Sequence, residues 1–370
     1  MISPLKALAE DQSKKLSTFK PPISSIALSF ETEFTLELIQ QLIRGDYNAI
    51  FMSPELIFSS RRLTKLWHNP RWIKGLLVVV IDEAHCIEEW GAKFRPDYSR
   101  LGEIRSHVGN KVAFVVMSAT LLKEDIQAIK QKLCFRDQKT KVFNLGNDTP
   151  NIKYIVRLFK PQKVMLGAGI DFPPKDGLNN LEFLLDDDKK TIVYFNKLET
   201  AEDACDYLKK VVFRRKKLSD GKTNHLNQST TTDSVSSLSK TEILDASKIE
   251  VYHSFKSKMH KETVMDDFLS GRISILLASE AVGMGCDIPD VIRVVQFGMP
   301  NSLSQLIQRL GRAARDPSLQ GYGYLIIHHR SIMVNTNNKV DKLFDFIETT
   351  DCRRRISNET FGSEHFTITQ

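Results

Sequence analysis

The residues in this sequence best placed to do chemistry together are Asp82-Glu83-Ala84-His85, which directly follow the apolar run LLVVVI. Such a run reads as a strand buried in a parallel sheet, and open α/β sheets bind ligands beyond the carboxyl ends of their strands. Two adjacent carboxylates placed there suit nucleotide chemistry. Asp82 could hold Mg2+ through its water shell, while Glu83 could polarise a water aimed at a γ-phosphate. Acids at a strand-to-helix junction also complement the positive end of a helix, so the four residues alone leave both readings open. Arg312 and Arg315 form a second set, within Gln308-Arg309-Leu310-Gly311-Arg312-Ala313-Ala314-Arg315-Asp316. Their spacing of three predicts two guanidinium groups on one side of a helix, either reaching a triphosphate as arginine fingers or forming a solvated basic face.

Positioning these groups requires sheets. Short runs rich in Val and Ile recur along the chain: AIFMSPE, LLVVVIDE and KVAFVVMSAT in the first part, KTIVYFN, ISILLASE and VIRVVQFGMP in the second. They predict strands buried on both faces of parallel sheets, alternating with helices, and hence an α/β fold of two domains. The first domain is expected over 1–150, with a hinge in Asn147 to Asn151 where LGNDTPN supplies turn residues, and the second over 151–335. Residues 213–248 are so dense in Ser, Thr, Asn and Lys that they read as a disordered insertion.

The 370 residues are 41% hydrophobic and 26% charged, enough for two ordinary cores. Lys plus Arg number 52 against 45 Asp plus Glu, a formal charge of +7 that favours a polyanionic partner. The cysteines at 86, 134, 205, 286 and 352 form no CxxC pair, which excludes a readable zinc site or disulfide framework and fits a reducing compartment. The longest apolar stretch, Gly75 to Ile81, is far short of a membrane helix, and no signal-peptide pattern opens the chain. The expectation is a soluble intracellular protein with no membrane partner.

The order and separation of these segments resemble RecQ-type helicases of superfamily 2. Ser3-Pro4-Leu5 with Asp11-Gln12 resembles motif Ia, Ser53-Pro54-Glu55 the following DNA-side motif, Asp82 to His85 motif II, and Ser118-Ala119-Thr120 motif III. IVYFNKLETAED resembles motif IV, Tyr252-His253 the segment after it, Ala278 to Pro289 motif V, and Gln308 to Arg315 motif VI. Cys86 to Gly102 resembles the aromatic-rich loop that sets RecQ apart from DEAD-box RNA helicases.

The resemblance implies two RecA-like domains with a nucleotide cleft between them, ATP and Mg2+ as cofactors, single-stranded or forked DNA as partner, and 3′–5′ translocation. In recombination, repair or telomere maintenance the protein would be nuclear in a eukaryote. Asp82, Glu83, His85, Gln308, Arg312 and Arg315 would serve catalysis. Gly283, Gly285 and Asp287 would join Asp82 and the two arginines around the nucleotide, and Ser118 and Thr120 would couple the sites. Ser3, Pro4, Ser53, Trp90, Phe94, Arg95 and Tyr98 would meet nucleic acid, the aromatic rings by stacking and Arg95 by phosphate or cation-π contact.

Two parts of the family pattern are incomplete. No phosphate-binding loop precedes motif Ia, and Gly221-Lys222-Thr223 is a decoy because Lys216 stands where the loop needs glycine. Cys352-Arg353-Arg354-Arg355 resembles the opening of a zinc-binding domain over 336–370, but no later cysteine completes four ligands, so zinc is expected only with a longer carboxyl-terminal region. The expectation is a piece of a longer helicase with impaired hydrolysis. A non-hydrolysing nucleic-acid-binding module is the alternative, and an RNA helicase of the DEAD-box type stands behind both.

Overall fold

The computed structural model describes residues 1–89, 95–109, 111–160, 175–226, 244–279, 282, 288–329, 331 and 342–362. The chain separates into two compact units, the first holding Met1–Asn147 together with the residues from Asn358 onward, the second most of Asp148–Ser357.

Among the described residues the first unit has four parallel strands, β1 (Ser25–Ala27), β2 (Ala49–Phe51), β3 (Val78–Ile81) and β4 (Ala113–Val116), paired β1 with β2 and β3 with β4. Ile2 joins the pairs by parallel bridges to Met52 and Ile81. Its N–H donates to Val80 O (2.7 Å) and its carbonyl accepts from Asp82 N–H (2.9 Å), while Ser3 N–H donates to Met52 O (3.0 Å). The helices are α1 (Lys6–Ser17), α2 (Leu36–Arg44), α3 (Pro54–Ser59), α4 (Arg61–Leu66), α5 (Pro70–Gly75), α6 (Cys86–Glu89), α7 (Glu103–Val108) and α8 (Lys123–Lys132). Their ends are written in the sequence. Thr35 caps α2, which stops at Gly45 in the left-handed region (φ 84°), and Asn69 caps α5 ahead of Pro70. Leu42, Leu56, Ile81, Ile87, Tyr98 and Leu101 form the buried centre.

The expectation that β3 and β4 are buried on both faces is corrected. Val78 and Val115 are exposed, and burial along β4 alternates. Among the described residues one face of this pair is packed and the other is open, and a run of valines reads the same in both cases.

The second unit carries a six-stranded parallel sheet in the order β5-β10-β9-β6-β8-β7: β5 (Ile152–Phe159), β6 (Thr191–Phe195), β7 (Ile249–Tyr252), β8 (Ile275–Ala278), β9 (Arg293–Phe297) and β10 (Gly321–His328). Every residue of β6, β8 and β9 is buried, as a parallel sheet covered on both sides requires. Around it lie α9 (Leu198–Leu226), α10 (Lys258–Leu269), α11 (Leu303–Leu310), α12 (Leu343–Glu348) and α13 (Arg353–Phe361). Phe346 of α12 is fully buried and meets the Tyr154 ring edge-on at 5.7 Å, so part of the expected zinc-domain segment packs on this unit.

The insertion expected over 213–248 is also corrected. Residues 213–226 continue α9, where Arg215 pairs with Asp186 and Lys216 with Asp245, and Leu244 is buried. Helix propensity and ion pairs outweigh the polar composition there, and the remainder, 227–243, lies outside the described residues. Gly221-Lys222-Thr223 falls within α9 and forms no loop.

Candidate functional site

β3 delivers the acidic pair to the end of the first sheet. The Asp82 carboxylate is held at both oxygens, Oδ1 accepting the Glu83 N–H (2.9 Å) and Oδ2 accepting from Gln12 Nε2 of α1 (3.1 Å). Glu83 sits in the left-handed region at φ 50°, which a residue with a Cβ adopts at a cost of about 1–2 kcal/mol. That turn brings the Ala84 N–H onto Met117 O (2.9 Å) and folds His85 inward. His85 is 3% exposed, with Nδ1 at 3.1 Å from Ser118 Oγ and 3.3 Å from Glu83 Oε2. Asp82, Glu83, His85 and Ser118 therefore form one cluster, and the Thr120 N–H donates to Ser118 Oγ (3.4 Å). The His85 imidazole thus lies between Glu83 and Ser118, at the carboxyl end of β4.

The residues expected to meet nucleic acid divide differently. Tyr98 is fully buried, so its ring offers no stacking face; burial also pushes its hydroxyl pKa up. Ser3 and Pro4 are buried as well, because they continue the Ile2 bridge into the sheet. Ser53 is half-buried and caps α3 by accepting the Leu56 N–H. Arg95 makes a two-pronged ion pair with Glu55, including Nη2 to Oε2 at 2.6 Å, and its Nη1 donates to Pro4 O at 2.5 Å. Burial raises the Glu55 pKa, but the Arg95 guanidinium outweighs it and holds the carboxyl below its ordinary value. Arg95 thus ties three sequence motifs together. Trp90 and Phe94 lie outside the described residues.

In the second unit α11 stops at Leu310, and Gly311 to Ala314 form a turn that ends with Ala314 at φ 43°. The expectation of Arg312 and Arg315 on one side of a helix is corrected: Arg312 stands on this turn, half-buried, and Arg315 follows it, exposed. The turn is fixed by the Ala314 N–H donating to Val291 O (2.6 Å) and by Asn151 Nδ2 donating to Ala314 O (2.8 Å). Gln308 is half-buried on α11, and its neighbour Arg309 is buried, donating to Gln296 Oε1 and to Asn196 Oδ1 (3.1 Å) above the Tyr194 ring. Gly283, Gly285 and Asp287 lie outside the described residues.

The DEAD/DEAH box helicase family matches residues 1–129, and the helicase conserved C-terminal domain matches 217–317. The chain carries both helicase domains and is similar to RecQ-type DNA helicases. Among its relatives, this helicase is 27% identical to the probable ATP-dependent DNA helicase RecS of Bacillus subtilis, over 85% of this chain and 53% of RecS. It is 26% identical to the ATP-dependent DNA helicase RecQ of Pasteurella multocida, over 99% of this chain and 51% of that protein. The helicase chain spans about half the length of these curated relatives. Its fold, two RecA-like domains, is shared with Mycobacterium smegmatis helicase Lhr bound to ssDNA and AMP-PNP, with a TM-score of 0.56, 18% identity and coverage of 88% of this chain and 39% of Lhr.

Sequence reasoning missed three residues that the structure ties into these motifs, two in the first unit and one in the second. Gln12 and Glu55 stood inside motifs, but their partners lie 70 and 40 positions away, a relation that spacing does not carry. Arg309 looked like one more cation in a basic stretch. The helix periodicity of Leu303, Leu306, Ile307 and Leu310 leaves it on the flank of the inner face, and its burial against Gln296 and Asn196 depends on partners distant in sequence.

Proposed function

We propose that this chain is the motor part of an ATP-dependent DNA helicase that moves 3′–5′ along single-stranded or forked DNA, in recombination, repair or telomere maintenance in a nucleus. The single observation that carries the motor reading is the Asp82-Glu83-His85-Ser118 cluster at the carboxyl ends of β3 and β4. Asp82 fits Mg2+ held through water, since Mg2+ accepts one carboxylate and retains much of its hydration shell. When bound, Mg2+ would neutralise phosphate charge. Glu83 would orient the attacking water, and His85 would hold Glu83 in register with Ser118. DNA rather than RNA is favoured by the match of Cys86 to Gly102 to the RecQ loop.

No G-x-x-x-x-G-K-S/T segment occurs in residues 1–370, so the amides and lysine that cradle triphosphates are lacking here. We therefore infer that these residues alone hydrolyse ATP negligibly, with or without single-stranded DNA. The alternative reading is a nucleic-acid-binding module without hydrolysis. Steady-state ATPase with single-stranded DNA, with RNA and with neither is the test. Turnover above about 1 s⁻¹, the low end of ordinary enzymes, would overturn the inference. When a phosphate-loop segment is joined upstream, DNA-stimulated hydrolysis should appear, and Glu83→Gln should abolish it while sparing nucleotide binding. Continued silence of the joined protein would favour the binding module.

A further inference from the structure

The loop from β7 to α10 carries a feature that the nucleotide chemistry does not use. After Tyr252 the chain reads His253-Ser254-Phe255-Lys256-Ser257. His253 is buried, with Nε2 at 2.8 Å from Glu202 Oε1 of α9, and Lys256 Nζ lies 2.8 Å from the same oxygen. The Phe255 N–H donates to His253 Nδ1 (3.3 Å) and the Lys256 N–H to His253 O (3.2 Å), while the Ser257 hydroxyl caps α10. Nδ1 is thereby an acceptor, which leaves Nε2 to donate to Glu202. The His253 ring and then Lys256 hold the Glu202 carboxyl below its ordinary pKa.

This network fixes the loop from beneath and turns Phe255 outward, where it is 83% exposed, with Met259 at 76%. Helix capping does not account for the ring: the staple positions flanking the Ser257 cap are Lys256 and Lys261, neither of them apolar partners. Lys256, Lys258 and Lys261 are its neighbours in the sequence, Lys256 paired with Glu202 and Lys258 with Glu262. Because the sheet is parallel, Phe255 stands at the same carboxyl edge as Asn196 and the exposed Lys197 that follow β6. A rigid, solvent-facing aromatic among cations matches a base with its phosphates better than it matches an apolar surface.

We propose that Phe255 is a stacking platform for a base of single-stranded nucleic acid, with Lys258 and Lys261 facing the adjoining phosphates. The proposal rests on the reading of the chain as a nucleic-acid motor and adds a contact in the second unit. The test is fluorescence anisotropy of a labelled oligothymidylate titrated with the whole chain. Phe255→Ala should weaken binding about tenfold, within the range for losing one base stack. Melting temperature should not move, and the salt dependence should keep its slope, because no phosphate contact is lost. Phe213→Ala, an equally exposed ring on α9, should leave affinity alone. The conservative F255W variant should bind like the original and show fluorescence quenched by the oligonucleotide beyond the change in the original chain's own three tryptophans. Unchanged affinity in Phe255→Ala, or an unquenched F255W, overturns the platform while the motor reading stands; a protein-docking role for the ring would give that same result. Failure of the unmodified chain to bind oligothymidylate at low salt overturns both.

Discussion

At the scale of single residues, the Glu55–Arg95 pair makes the sharpest claim. A two-pronged ion pair, half-buried and backed by the Pro4 carbonyl, resists replacement by a point charge, so Arg95→Lys should not substitute for it. Removing either partner should destabilise the first unit by about 2 kcal/mol, in the range for hydrogen bonds to charged groups. The double variant should lose much less than the sum, read by denaturant unfolding in a double-mutant cycle; additive losses would dissolve the pair. The pH dependence has a definite sign. The Glu55 carboxyl is held below its ordinary value, so its contribution is complete above the unfolded-state pKa and fades as pH falls through the lowered one. The gap in melting temperature between the native chain and Glu55→Gln should be constant above about pH 5 and shrink in more acidic solution.

At the scale of elements, Gly102 shows how closely helices approach in the first unit. A Cβ there would lie 2.1 Å from the carbonyl oxygen of Lys132, at the end of α8. Backbone cannot yield as a side-chain tip does, so Gly102→Ala should cost about 1–3 kcal/mol, the usual penalty of overpacking. A thermal melt matching that of the native chain would show that α8 is free to move. Sequence patterns located the strands that carry chemistry: β2, β3, β4, β6, β8 and β9 each coincide with an apolar run. They passed over β1, β5, β7 and β10, where Ser25, Lys153, Arg157, Glu250 and two glycines interrupt the pattern. The acidic pair and motif order were legible because strand ends and residue types are local properties. The burial of Tyr98, the role of Arg309 and the short reach of α11 were not, since each depends on a partner distant in sequence or on a turn whose strain at Ala314 no local propensity announces.

At the scale of the whole molecule, the two sheets differ in how they are covered. β6, β8 and β9 are buried throughout, whereas β3 and β4 each present residues to solvent. The first unit should therefore open at lower temperature than the second, giving two calorimetric transitions, and a single transition would contradict this. The bridge at Ile2 sharpens the expectation. Two-stranded ribbons have little independent stability in water, and among the described residues the backbone of Met1 to Ser3 unites two such ribbons into a sheet. That tripeptide acts as a seam. In hydrogen exchange the amides of Ile2, Ser3, Met52 and Asp82 should lose protection together, as one cooperative step rather than by gradual fraying. Since the seam ends where Asp82 begins, the same opening would release the Asp82 amide from Ile2, so the lability of the sheet and the placement of its acidic pair are one property.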